Sequence, residues 1–597
     1  MKNNSTLQER LQAFRLEMKA CNLSAFIVPT TDPHGSEYLT DYWKCREWLS
    51  GFTGSVGTLV VTSDRAALWV DSRYHIQADV QLGGTGIEVM KVTVLDYADI
   101  AKWIAATLPE NSEVGIDASL STERDAVFLQ TELAKKRISL SLNCDPIQYI
   151  WEERPSLPLQ PPFVYSEQYA GMSVEKKLDL LIEKLEEFDA EAIMLTALDE
   201  IAWLLNIRGS DIECNPVVMC YAYISKERSI LFIDERKVTD ELRTYFKQIG
   251  ISLQLYSQVY SFLETLQTDT SLMIDRSKVN YKIIQSIPSS SSIISHTSPV
   301  SMMKAVKNEV EIEGIRNAMI KDGIALLQFW RWLENSIGNS SYTEADIARE
   351  IKKYKEKQEY YIGESFDTIV GYQSNGAIVH YHAQEGACAT IRPEGLLLID
   401  CGSQYLDGTT DITRAYALSE PDAEQKRDYT LVLKGHIALS MCKFPKGTRG
   451  AQIDVLARQA MWKSGINYLH GTGHGVGHFL NVHEGPQSIR MNENPVMLEP
   501  GMLISNEPGI YREGKYGIRI ENLILVRNEM ETSFGSFYGF ETMTLFPYDL
   551  KAIDITLLNE EEKEWIDLYH QRVFEALSPY LTQEEQMWLK AKTNLLR

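Results

Sequence analysis

Apolar positions recur at helical spacing from Leu7 to Cys21 and then run unbroken through AFIVP, Ala25–Pro29, which predicts an amphipathic helix followed by a buried strand. The same order returns at Val174–Phe188 and in AIMLT, from Ala192. Each copy then continues in kind. The first reads WLSGFTGS at Trp48–Ser55 and SDRAALWVDSR at Ser63–Arg73; the second reads WLLNIRGS at Trp203–Ser210 and SKERSILFIDER at Ser225–Arg236. The blocks are offset by 155 residues at Trp48 and Trp203 and by 163 at Asp71 and Asp234. One α/β unit used twice, with an insertion of about eight residues between its blocks, accounts for this pattern. Trp48 and Arg73 are read as packing residues.

Two composition shifts bound the units. RPSLPLQPPF, Arg154–Phe163, continues neither a helix nor a central strand and serves as a linker. The serine-rich IPSSSSIISHTSPV, ending at Val300, marks the second boundary. Apolar spacing in NEVEIEGIRNAMIKDGIALLQFWRWLEN then opens a third domain, and one or two acidic amphipathic helices close the chain from about Asp554. The expected layout is an N-terminal α/β domain over 1–155, a second over 165–302 and a larger α+β domain with a helical tail over 305–597. A chain of 597 residues is long enough for this, since the length alone allows about three to five domains.

The formal net charge of −23 argues against nucleic acid or an anionic membrane as the main partner. The N-terminal segment lacks the apolar stretch of a signal peptide, and no run approaches the roughly 18 apolar residues that span a bilayer. Eight scattered cysteines without a CxxC pair predict reduced thiols in a cytoplasmic protein.

Chemistry concentrates in the third domain. In MLISNEPGIYREGKYGIRIENLILV two apolar strands flank Glu513-Gly514-Lys515, and a hairpin centred on Gly514 sets Glu507 directly opposite Glu521. Cross-strand Cβ atoms lie about 4.5–5.5 Å apart, so the two carboxylates repel unless a cation separates them. Arg519, on the same face as Glu521, is a further charge partner. In LLLIDCGSQYLDGTTDITRAYAL, Asp400 ends one apolar run and Asp411 begins the next. A strict hairpin turning on Asp407-Gly408 pairs Asp411 with Gln404, about 13 Å along the strand from Asp400, so a shared site requires a bulge or loop there. HGTGHGVGHFLNVHEGP places His470, His474 and His478 four residues apart, but its glycines disfavour a helix and predict a glycine-rich loop or strand. Four carboxylates and an imidazole suit two divalent cations. An oxygen-rich set with one nitrogen favours Mn²⁺, with Zn²⁺, Co²⁺ or Fe²⁺ as alternatives.

The set Asp400, Asp411, His474, Glu507 and Glu521, with SNGAIVHYH upstream, resembles the pita-bread metallopeptidases. TALDEIAWLLNIRGSDIECNPV, LDGTTDITRAYAL, YLHGTGHGVGHFLNVHEGP and NEPGIYREGKYGIRIENL carry the resemblance over nearly the whole chain, and the three-domain layout is similar to that of the aminopeptidase P branch. That resemblance implies two creatinase-like α/β domains before a pita-bread catalytic domain. It implies metal-activated water cleaving the bond before a penultimate proline, with Asp411 and Glu521 bridging the metals, Asp400 completing one shell, and His474 and Glu507 the other. It assigns His380, His470 and His483 to substrate binding and oxyanion stabilisation, lines the site with Tyr511 and Arg519, and makes Glu507 the proton carrier. His382, His436 and His478 are left as structural. A homodimer follows from the same resemblance. The alternatives are a prolidase acting on Xaa-Pro dipeptides and a non-catalytic peptide-binding protein.

Overall fold

The computed structural model describes residues 6–142, 144–267 and 269–596 and divides into two compact units, Met1–Glu167 with Met172–Ser301, and Gln168–Gly171 with Met302–Arg597. The first unit contains the duplication. Strands β1 (Ala25–Pro29), β2 (Thr58–Thr62), β3 (Ala66–Val70), β4 (Glu88–Lys91), β5 (Glu113–Ile116) and β6 (Ser139–Ser141) form a sheet in the order β4-β3-β2-β1-β5-β6. Strands β7 (Ala192–Leu195), β8 (Cys220–Ser225), β9 (Ser229–Ile233), β10 (Ile251–Leu255), β11 (Ser271–Ile274) and β12 (Ser292–Ser295) repeat it as β10-β9-β8-β7-β11-β12. The directions repeat as well. The first strand of each copy is antiparallel to its second and parallel to its fifth.

The matched sequence blocks perform matched tasks. Arg73 forks onto Asp71 with Nε and Nη2 at 3.0 and 2.7 Å, and Arg236 forks onto Asp234 at 3.0 and 2.6 Å. Trp48 stacks on Trp151 with centroids 4.9 Å apart. The serine-rich boundary segment also carries structure, because Ser292–Ser295 completes the second sheet as β12, its two isoleucines half-buried. One expectation fails here. Cys21 and Cys144 form a disulfide, which corrects the expectation of reduced thiols throughout; Cys45, Cys214, Cys220, Cys388, Cys401 and Cys442 are free.

The second unit opens with helix Glu309–Ser336. Asn308 caps it, accepting from the Val310 and Glu311 amides at 3.0 Å while the Glu311 carboxylate returns to the Asn308 amide at 2.9 Å. Its apolar face places Phe329, Trp330 and Leu333 in a core shared with Tyr416 and Phe546. The tail, expected to form one or two helices, forms two, Glu560–Leu577 and Gln583–Lys592.

Two antiparallel sheets carry the candidate site. One joins β13 (Ile369–Tyr372), β14 (Leu396–Cys401) and β15 (Ile412–Ala417). The second sheet comprises β16 (Phe444–Pro445), β17 (Gly473–Gly475), β18 (Glu484–Ile489), β19 (Leu503–Asn506), β22 (Asn522–Thr532) and β23 (Gly535–Thr542), with the short hairpin β20 (Gly509–Arg512) and β21 (Tyr516–Arg519) emerging between β19 and β22. Their order is β16-β23-β22-β19-β17-β18.

Candidate metal centre

The glutamate pair sits where the register requires. Asn506 faces Asn522 across β19 and β22, and Gly509 faces Arg519 across β20 and β21. Both ladders share one centre at Gly514, so Glu507 and Glu521 stand opposite each other at the break between them. The aspartate pair departs from the expected geometry. The tight turn lies at Leu406-Asp407, one residue earlier than Asp407-Gly408, because Tyr405 pairs with Gly408 and Gln404 with Thr409. Asp400 then faces Thr413, which makes Asp411 its diagonal neighbour without any inserted loop.

Backbone hydrogen bonds lock these segments together. The Glu521 amide donates to the Thr413 carbonyl at 3.1 Å, and the Glu507 amide to the Thr472 carbonyl at 2.8 Å. The histidine segment is loop and short strand, as its glycines predict. A Cβ on Gly473 would meet the Ser505 carbonyl oxygen at 1.9 Å, so glycine is what lets β17 lie against β19.

The resulting cluster is tight. Donor atoms of Asp411, His474 and Glu521 all lie within 4.8 Å of one another. His474 Nε2 is 3.4 Å from Asp411 Oδ2 and 3.5 Å from Glu507 Oε1. Thr413 Oγ1 donates to Glu521 Oε2 at 2.7 Å, and Ser505 Oγ donates to Glu507 Oε1 at 3.1 Å. Arg519 pairs with Asp400 Oδ2 at 2.5 Å, not with either glutamate, and reaches the Thr413 hydroxyl and the Tyr511 hydroxyl at 3.1 and 2.8 Å. His470 Nε2 lies 2.9 Å from the same Tyr511 hydroxyl. His483 packs edge-on against His474, with centroids 4.4 Å apart. His380 is half-buried in the loop after β13, next to Val379, whose carbonyl accepts from Arg519 at 3.5 Å.

The donor set fits a divalent cation. Burial pushes Glu507 up to about 7 and, with the charge of Asp411, drives Glu521 well above the carboxylate range. Burial also raises Asp400 despite the pull of Arg519, and its Oδ1 is buried without a partner. Burial alone would lower His474, yet the hydrogen bond to Asp411 and the charge of Glu507 push it up to about 9. Carboxylates that resist ionisation and an imidazole that keeps a proton mark a centre short of positive charge.

The three histidines left as structural are held elsewhere. His436 Nδ1 lies 3.0 Å from the Asn506 carbonyl and its Nε2 near Asn522 and Tyr548, and burial lowers it to about 3. His478 Nε2 lies 3.0 Å from the Asp407 carbonyl, and His382 Nδ1 lies 3.8 Å from Asp367.

Sequence reasoning missed the scaffold behind the site. Glu344, fully buried, accepts from the Tyr372 and Ala389 amides, from Asn375 and from the Tyr381 hydroxyl, and so fastens both ends of the His380 loop. On helix Gly450–Trp462, Arg458 pairs with Asp454 at 2.7 Å and donates to the carbonyls of Tyr468 and His470 at 2.6 and 2.9 Å. Thr472 Oγ1 closes the network on Asp454 at 2.5 Å. Thr413 was discoverable, being two residues beyond Asp411 on one strand face; nothing in the local sequence singles out Asp454 or Glu344. Arg458→Met leaves Asp454 buried and short of its cation, so chemical denaturation is expected to show a loss of about 3–5 kcal/mol.

Family comparisons agree with this geometry. Residues 313–528 match the model of metallopeptidase family M24, and 536–596 that of the C-terminal region of peptidase M24. Residues 10–141 and 153–311 each match the creatinase/prolidase N-terminal domain. Aminopeptidase P2 of Arabidopsis thaliana is 39% identical over 99% of this chain and 89% of its own. A probable Xaa-Pro aminopeptidase P of Coprinopsis cinerea is 40% identical over 98% of both chains. The X-prolyl aminopeptidase of Caenorhabditis elegans, described as a cytosolic enzyme with a di-nuclear active site, superposes with a TM-score of 0.94 at 34% identity, covering 99% of this chain and 100% of that one. The Xaa-Pro dipeptidase of Bacillus anthracis shares the fold over 63% of this chain, with a TM-score of 0.51 at 24% identity. The chain belongs to the Xaa-Pro aminopeptidase P family of M24 metallopeptidases, enzymes built from two creatinase-type N-terminal domains and a catalytic domain that hydrolyses peptides.

Proposed function

We propose that this enzyme releases the N-terminal residue of peptides with proline in second position, using two divalent metal ions, with Mn²⁺ the native metal. The convergence of Asp411, His474 and Glu521, with Glu507 beside them, carries the reading. Asp411 and Glu521 would be shared between the two ions, with Asp400 on one and His474 and Glu507 on the other. Two such ions supply a nucleophilic water at neutral pH and polarise the scissile carbonyl.

The protein's own groups do the rest. Glu507, beside His474 and Asp411, would take a proton and return it to the departing prolyl nitrogen. His470, His380 and His483 would orient the peptide and stabilise the developing oxyanion. Arg519 and Tyr511 hold one another and leave Asp400 Oδ1 for the metal and the substrate's α-amine. The prolyl amide has no N–H, so selection rests on ring fit.

A homodimer is the expected assembly, and the peptide is the expected partner. We place the enzyme in the cytoplasm by its likeness to the cytosolic nematode enzyme. The Cys21–Cys144 disulfide is the one feature that points the other way, since cytosolic chains rarely keep one. No described helix is long and apolar enough to cross a membrane.

Enzyme stripped of metal and reloaded with Mn²⁺ is expected to free arginine from Arg-Pro-Pro and to leave Arg-Pro and Arg-Ala-Ala largely uncut. Cleavage of Arg-Pro alone would make it a prolidase. Absence of both cleavage and metal binding would leave only a peptide-binding role.

A further inference from the structure

A cavity of about 260 Å³ lies at the carboxyl ends of β1 and β5, its wall completed by Lys278 and Asn280 of the second copy. Adjacent parallel strand ends are where open α/β sheets bind ligands. The loop that opens this cavity is extra to the repeat. Between the start of the strand and its tryptophan the first copy runs from Ala25 to Trp48, whereas the second needs only Ala192 to Trp203. In the second copy helix Leu198–Leu204 begins almost directly after β7. The additional loop is not part of the repeated unit, and it carries Asp32.

Asp32 is 2% exposed and lines the cavity. Its Oδ1 accepts from the amides of His34 and Ser36 at 2.9 and 3.0 Å, which accounts for a turn. Its Oδ2 is buried without a partner. Leaving one carboxylate oxygen buried and unpaired is costly, and a turn does not need it. No cation on the cavity wall is directed to it. Lys278 is bound to Glu200 and to the Ser301 hydroxyl, and Arg124 to Asp125 at 3.1 Å. His34 alongside spends both ring nitrogens on the Thr196 carbonyl and the Tyr256 hydroxyl, at 2.9 and 2.8 Å, and burial lowers its affinity for a proton. The remaining wall combines apolar Val56, Leu95 and Ile100 with neutral hydroxyl and amide groups, and its other carboxylates, Asp96 and Asp125, are engaged by the Ala98 amide and by Arg124.

We infer that this cavity is a second binding site, separate from the metal centre, for a small molecule bearing a primary ammonium on a short apolar stem. The ammonium supplies the missing partner of Asp32 Oδ2, and the stem lies along Val56 and Leu95. The volume suits a ligand of amino-acid size and is below the usual range for drug-sized ones.

Calorimetric titration of the metal-loaded full chain with n-butylammonium chloride tests the assignment, with n-butanol and Ca²⁺ as comparison titrants. Saturable butylammonium binding is expected with a Kd on the order of 1 mM, within what so few non-hydrogen atoms supply. Asp32→Asn keeps the turn acceptor and removes the charge; Val56→Trp fills the cavity without touching Asp32. Each is expected to raise Kd at least about tenfold, and n-butanol is expected not to bind. Should Asp32→Asn fail to fold, Val56→Trp alone decides. Undiminished binding in a folded variant, equal binding of n-butanol, Ca²⁺ binding lost with Asp32→Asn while butylammonium does not bind, or no binding of any titrant overturns the site.

Discussion

Glu521→Gln is expected to lower kcat/KM on Arg-Pro-Pro by about 10³-fold, the equivalent of roughly 4 kcal/mol of lost charge stabilisation. The substitution is isosteric and keeps an acceptor for Thr413 Oγ1, which donates to this side chain at 2.7 Å. It removes one of four acidic groups converging on the centre, and with it the charge proposed to be shared by both metals. The same substitution is expected to act in the opposite direction on metal-free protein. Glu521 is driven well above its usual range by burial and by Asp411, so its ionised form opposes folding when no cation is present. Thermal unfolding in EDTA at pH 7.5 is therefore expected to occur at a higher temperature in Glu521→Gln than in the parent. A side chain that served only packing would lower both quantities, and that outcome would remove Glu521 from the metal set.

Removing the metals is expected to cost stability by an amount that grows with pH. The folded metal-free protein holds Glu507 at about 7 and His474 at about 9, both above their values of 4.5 and 6.5 in an unfolded chain. Groups with raised values bind more protons folded than unfolded. Their contribution is present below the unfolded value and is lost as pH rises through the folded one. Metal-free protein should thus weaken from about pH 4.5 to about pH 9. The loaded protein should not follow it over the neutral part of this range, because the cation replaces those protons. With Mn²⁺ at 1,000 times its dissociation constant, each ion adds about 4 kcal/mol. The difference in unfolding temperature between Mn²⁺ and EDTA should be larger at pH 8 than at pH 5.5, and metal binding should release protons in proportion. A difference independent of pH would show that His474 and Glu507 do not exchange their protons for metal.

Much of this was legible in the chain. The duplication was readable because its strands are buried on both faces and so carry unbroken apolar runs, and because Asp71 and Asp234 each serve an arginine two residues later. The glutamate pair was readable because Gly514 centres a symmetric hairpin. The aspartate pair was not placed correctly. Asp-Gly is a strong turn signal, yet Gly408 lies inside the ladder opposite Tyr405, where a Cβ would meet that of Ala318 at 3.0 Å. The glycine answers to helix packing there, a tertiary cause that no local pattern reveals. The strand inside the serine-rich boundary was not legible for a related reason, since its two isoleucines complete the sheet only against β11. Glu344 was invisible because it acts through partners remote in sequence, and Asp454 because its pairing with Arg458 four residues on looks like any exposed helix ion pair.

The two ladders centred on Gly514 also govern how this region can change in length. Side chains alternate faces along a strand, so deleting one residue between Glu507 and Glu521 turns one carboxylate away from the other. Removing a residue from each arm near Glu513 and Lys515 preserves the pairing and shortens only the exposed tip. Insertions and deletions here are expected to survive selection in matched pairs, so that lengths at this tip among relatives should differ in steps of two.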